Sequence, residues 1–111
     1  MRPNSVVHAG SLSVEHHAVG PDQVVDGQPR TGVEELGRFG GLDVGVWEMT
    51  PGVLRDEEAD EVFVVLSGSA TVEFDDGTTA LSLTSGDVVC LAEGAKTVWT
   101  VTETLRKVYL T

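Results

Sequence analysis

The chain is poor in cysteine, in basic residues and in long apolar runs, and each shortage removes a class of function. Cys90 is the only cysteine, so no intrachain disulfide can form. It lies in the apolar run Val-Val-Cys-Leu-Ala, where a free cysteine is expected to be buried as a small apolar side chain. No base or cation stands beside it to favour a catalytic thiolate. Lys and Arg number 7 against 18 Asp and Glu, giving a formal net charge of -11. Such a chain repels phosphate backbones, which argues against nucleic-acid binding. No window of about 18 apolar residues occurs, so no membrane-spanning helix is expected. The segment from Met1 to Gly10 also lacks an apolar stretch of signal-peptide length, and a cytoplasmic location is the expectation. Gly-x-Gly-x-x-Gly and Walker patterns are missing. Ser67 and Ser69 have no histidine-bearing motif near them to support a Ser-His-Asp triad.

What remains is a chain of 111 residues, 41% hydrophobic, with 13 glycines, the right size for one domain with one core. Residues 1–30 are weakly patterned and contain all three histidines, His8, His16 and His17. Gly20-Pro21-Asp22 and Asp26-Gly27-Gln28-Pro29 mark turns there. This segment is expected to form an N-terminal arm or to add an edge strand. Adjacent residues of a strand point to opposite faces, so His16 and His17 make a poor chelating pair and are expected at the surface.

From residue 31 onward the pattern changes to short strands separated by Gly and Asp turns, at intervals of about ten residues. Val33 to Phe39, Leu42 to Met49, Glu61 to Leu66, Ala70 to Phe74, Thr79 to Leu83, Val88 to Leu91, Thr97 to Thr102 and Arg106 to Thr111 read as strands. Asp75-Asp76-Gly77 is a hairpin signal. Val62 to Leu66 is so apolar that burial on both faces is expected. No helical periodicity persists. Evenly spaced short strands of this kind predict an all-β sandwich or closed barrel spanning 31–111.

Two stretches narrow the choice. Pro51 to Gly68 contains Glu61 and, after six intervening residues, Gly68; Gly86 to Trp99 begins Gly86-Asp87 and turns at Glu93-Gly94. Together they resemble the paired motifs of the cupin superfamily. The ending Glu103 to Thr111, with Trp99 before it, resembles the branch containing ureidoglycine aminohydrolase-like cupins. The resemblance implies a double-stranded β-helix, or jelly-roll barrel, and a homodimer. It also implies a metal held by three histidines and one glutamate in the barrel lumen.

Here the histidines are absent. Counting back from Glu61 by the shorter motif spacing puts Arg55 and Glu57 in their place; the longer spacing gives Leu54 and Asp56; the second-motif histidine becomes Thr97. Arg55 cannot ligate metal, and a hydroxyl is a poor neutral ligand for the metals imidazole prefers. The expectation is therefore a lumen without metal or other cofactor. In it, Arg55, Glu57, Glu61, Thr97 and Trp99 would hold a small polar or anionic metabolite, with Arg55 paired to Glu57 or Glu61 if it points inward. Two alternatives stand beside this one: a metal-dependent enzyme resembling the ureidoglycine aminohydrolases, and an accessory domain whose barrel is filled by Trp47 and Trp99.

Overall fold

Two long strands organise the molecule, and both bend. In the computed structural model, which describes residues 1–111, nine strands and no helix are present: β1 His17–Ala18, β2 Val24–Asp26, β3 Arg30–Phe39, β4 Leu42–Met49, β5 Gly52–Glu57, β6 Glu61–Phe74, β7 Leu81–Thr84, β8 Val88–Leu91 and β9 Lys96–Leu110. No helix is long and apolar enough to cross a membrane. β6 and β9 pair antiparallel over nearly their whole lengths. On its other edge β9 meets β5 with its first half and β4 with its second. β6 likewise meets β8 with its first half and β7 with its second. One continuous curled sheet therefore makes two facing layers, β1-β3-β4-β9-β6-β8 and β2-β5-β9-β6-β7. This is the jelly-roll barrel that the strand pattern and the motifs imply.

The layers part where β6 is irregular, between Val65 and Ala70. Gly68 sits in that stretch at φ 91°, a conformation that L side chains rarely adopt. A Cβ on Gly68 would also collide with the backbone carbonyl of Thr104 on β9. The sequence pattern predicts a break in the chain at Gly68 and another near Glu103. In the structure the chain bends at these points and continues.

Period-2 alternation then decides which side chains enter the barrel. Odd-numbered residues of β9 and of the first half of β6 point inward with Trp47, Met49 and Leu54, while beyond the irregular stretch of β6 the even-numbered residues do; the core includes Phe63, Val65, Val72, Trp99, Val101 and Leu105. The expectation that Val62 to Leu66 is buried on both faces fails, because Val62 points outward and is 40% exposed. Cys90 is exposed rather than buried for the same reason: on β8 it is Val89 and Leu91 that face the core.

The N-terminal residues do two things. They add β1 to the edge of β3 and β2 to the edge of β5, one strand per layer. They also lie across the outer face of β4 and β9. There Arg106 donates to the Ala9 carbonyl at 2.7 Å and to Glu48 at 2.9 Å, while His16 Nε2 lies 2.8 Å from the other Glu48 oxygen. His16 is thus partly buried against Glu48, while its neighbour His17 stays exposed.

Candidate functional site

One end of the lumen carries polar groups on an otherwise apolar wall. Lys107, on β9, points inward because it shares parity with Thr97, Trp99 and Leu105. Its ammonium lies 4.2 Å from the centre of the Phe63 ring, 4.7 Å from Trp47 and 5.0 Å from Trp99. The rings themselves are in contact, Trp47 edge-on to Trp99 at 5.6 Å and Phe63 tilted at 5.8 Å. A fourth partner is Glu61, whose Oε2 accepts from Lys107 Nζ at 2.8 Å. The side chain of Lys107 is 6% exposed. A lysine so buried keeps its charge only with compensation, and the π faces and the carboxylate supply it.

Glu58 is the second polar centre. It lies just beyond β5, fixed by backbone hydrogen bonds from Glu58 to the Ala95 carbonyl and from Gly94 to the Glu58 carbonyl, each 2.8 Å. Its buried carboxylate accepts from the Thr97 hydroxyl at 2.6 Å and from the Trp99 indole at 3.0 Å. Every buried side-chain polar atom in the protein has a partner, so the site is preorganised.

Asp56 completes the set. Burial pushes its carboxyl above the ordinary range and the nearby Glu58 charge adds to this; a hydrogen bond from the Glu57 amide and the charge of Lys107 act the other way without cancelling the rise. Asp56 retains solvent contact along its residue surface, so it forms the mouth of the site rather than its floor. Between these groups lies a cavity of about 200 Å³, walled by Trp47, Leu54, Trp99 and Tyr109 as well as the charged residues. Burial, followed by the charges of Glu35, Asp43 and Glu61, also raises the Tyr109 phenol, so it is a neutral hydrogen-bonding group at neutral pH.

Of the five residues singled out from sequence, the structure brings three to this cavity: Glu61 and Trp99 line it, and Thr97 is joined to it through Glu58. Arg55 and Glu57 are not there. They alternate with Leu54 and Asp56 on β5 and are exposed on the outer side. There they border a larger open groove of about 510 Å³ with Asp22, Glu73, Asp75 and Lys96. The longer motif spacing is therefore the one the fold obeys, with Leu54 and Asp56 inward. Arg55 pairs with neither Glu57 nor Glu61; the lumen cation is Lys107.

The sequence pattern predicts one strand ending at Thr102 and another beginning at Arg106, where the structure has the single strand β9. Counting on by twos from Thr97 along a single strand reaches Lys107 and Tyr109. Glu58 lies off the strands, so parity gives no sign of it.

Cupin folds imply a lumen metal, and these side chains do not fit one. No imidazole faces the cavity, the Glu58 oxygen is committed to Thr97 and Trp99, and an ammonium sits among the acids. No group of three or more His, Cys, Asp or Glu side chains is disposed to share a metal ion.

Comparison with known proteins agrees with the fold. Residues 36–109 match the EutQ-like cupin domain family. The match covers more than half of the chain, which therefore belongs to that family of cupins. Among solved structures, the EutQ protein of Clostridium difficile is 20% identical, with a TM-score of 0.64 over 86% of this chain and 79% of that one. A putative ethanolamine utilization protein Q from Salmonella typhimurium LT2 is 18% identical, with a TM-score of 0.63 over 91% of this chain and 96% of that one. A protein of unknown function from the DUF861 family of Pseudomonas syringae pv. tomato is 23% identical, with a TM-score of 0.74 over 91% of this chain but 45% of that one. At such identities the likeness speaks for the fold alone. The comparison with curated proteins gave no match.

Proposed function

We propose that this cupin domain binds a small polar metabolite at the lumen mouth, without a transition metal, and that the ligand presents N–H or O–H donors. The observation that carries this reading is the make-up of the cavity: three carboxylates, Asp56, Glu58 and Glu61, meet one lysine whose charge Glu61 already balances. An anionic ligand has lost its strongest support, because the Arg55 guanidinium lies outside the barrel. Acceptors at the rim and aromatic faces behind them suit an amine, amidine, amide or ureide group. At about 30 Å³ per water, the 200 Å³ space holds on the order of seven waters, so the ligand is a molecule of a few heavy atoms. Phe63 and Trp99 fill the barrel below it.

The test is a thermal-shift and calorimetric screen of small amines, amides, ureides and carboxylates, alongside elemental analysis of the purified protein. A donor-bearing ligand at a hundred times its dissociation constant should add about 2.7 kcal/mol of stability, and Asp56→Asn should weaken that binding. Stabilisation by carboxylates alone would reverse the proposed ligand class. Stoichiometric metal lost on Glu61→Ala would favour the aminohydrolase-like alternative. A lumen that binds nothing in the screen would favour the accessory-domain alternative.

A further inference from the structure

Lys107 is a buried amine that the proposed ligand class leaves without a task. The chain has two lysines, Lys96 and Lys107. Lys96, at the start of β9, is exposed, whereas the Lys107 side chain is 6% exposed and lines the lumen cavity. As an ion pair alone, Lys107 and Glu61 add little to the barrel, because apolar side chains of similar volume stabilise a core as well or better. What the pair does provide is an amine with a base in contact, Glu61 Oε2 at 2.8 Å, on the wall of a cavity of small-molecule size.

Two proton donors face the same cavity. Asp56 lines it, and burial, with the Glu58 charge next, raises its carboxyl, so it holds a proton more readily than an ordinary aspartate. The neutral Tyr109 phenol lines it too. An amine, a base touching it and acids on the same cavity are the parts that addition to a carbonyl group requires.

We infer that Lys107 forms a reversible imine with a small hydroxyaldehyde or hydroxyketone. The hydroxyl requirement rests on the proposed donor-bearing ligand class; the imine does not. Glu61 takes a proton from the ammonium, and the freed amine bonds to the carbonyl carbon as the C=O π pair moves to oxygen. Asp56 protonates that oxygen and recovers a proton from the nitrogen. The proton held by Glu61 then leaves with the oxygen as water, and the nitrogen lone pair closes the C=N bond. The product is an iminium carrying the charge that the ammonium had. Glu61 and the faces of Trp47, Phe63 and Trp99 stabilise it as they did the ammonium, so no buried charge is gained or lost.

Glycolaldehyde with cyanoborohydride, which reduces an iminium to a stable amine, tests this on the unmodified folded protein at neutral pH. Peptide mass spectrometry should place a hydroxyethyl group on Lys107 about tenfold faster than on Lys96. A purely structural Lys107 predicts the reverse order, since burial shields it from the reagent. Lys107→Met, checked for native circular dichroism, should remove that label and leave labelling of Lys96 unchanged. Labelling of Lys96 and the N-terminus alone, or equal rates at the two lysines, overturns the inference. Binding of amines or amides in the ligand screen with no Lys107 adduct would sink the imine and leave the donor-bearing ligand class standing. Propanal labelling Lys107 as fast as glycolaldehyde would support the imine and overturn the hydroxyl requirement.

Discussion

Lys107 and Glu61 meet inside the barrel, ammonium to carboxylate at 2.8 Å, beneath the rings of Trp47, Phe63 and Trp99. Both side chains are nearly buried, at 6% and 16% exposure. Removing one partner strands the other's charge, so Glu61→Ala or Lys107→Met should each cost about 3 kcal/mol in urea unfolding. The double variant should lose well under the sum. Arg55→Ala gives the contrast: it is an exposed outer residue, should change stability by less than about 0.5 kcal/mol, and should add to Glu61→Ala without coupling. Coupling between Arg55 and Glu61 would contradict the geometry.

The fold was legible because burial imposes alternation on a strand, and turn residues show where strands end. The bounds that the pattern predicts for Leu42 to Met49 and Val88 to Leu91 are those of β4 and β8. The bends in β6 and β9 look like breaks in the sequence, since a positive-φ glycine such as Gly68 serves a turn and a kink alike. The site was legible only in part. Glu61, Thr97 and Trp99 lie on strands whose parity can be counted, whereas placing Arg55 or Asp56 inward depends on one residue of motif spacing. Glu58 is held by contacts to Ala95 and Gly94, more than thirty residues away, and local pattern carries no trace of such a contact.

Glu58 should prove the most sensitive single acceptor. Glu58→Ala leaves the Trp99 indole N–H unsatisfied, worth roughly 1–3 kcal/mol when buried, and leaves the Thr97 hydroxyl only its longer contact to the Asp56 carbonyl. Glu58→Gln keeps a carbonyl oxygen in reach and should cost less than half as much. Trp99 fluorescence during unfolding reads both. Equal losses for the two variants would mean that the charge of Glu58, rather than its role as acceptor, matters.

Acid should release the N-terminal arm before it opens the barrel. Burial alone would raise the Glu48 carboxyl, but hydrogen bonds from Arg106 and His16, and their charges, outweigh it and hold it below the ordinary 4.5. A carboxyl lowered by folding stabilises the fold at pH values above its unfolded pKa, and the contribution is lost as pH falls through the folded one. Asp56 has the opposite sign: its raised carboxyl contributes fully below its unfolded pKa, and that contribution is lost as pH rises through the folded value. Acidification therefore loosens Glu48 while relieving Asp56. Hydrogen exchange should show residues 8–18 losing protection as pH drops below the ordinary 4.5 of Glu48, with Trp99 still in its native environment. Simultaneous loss of both signals would refute a separate arm transition.

Gly68 should tolerate no side chain. Two effects act there: φ of 91°, and the Thr104 carbonyl in the space a Cβ would take. Gly77, in the Asp75-Asp76-Gly77 turn, separates them, since it has φ 86° with nothing near its Cβ position. Gly77→Ala should cost about 1 kcal/mol, the strain of a left-handed alanine. Gly68→Ala should cost at least about 2 kcal/mol, because relieving the collision means separating β6 from β9 where the barrel folds from one layer into the other. Equal losses at the two positions, measured by thermal unfolding, would mean that backbone conformation alone sets the bend. A larger loss at Gly68 would show that the close passage of Thr104 fixes it.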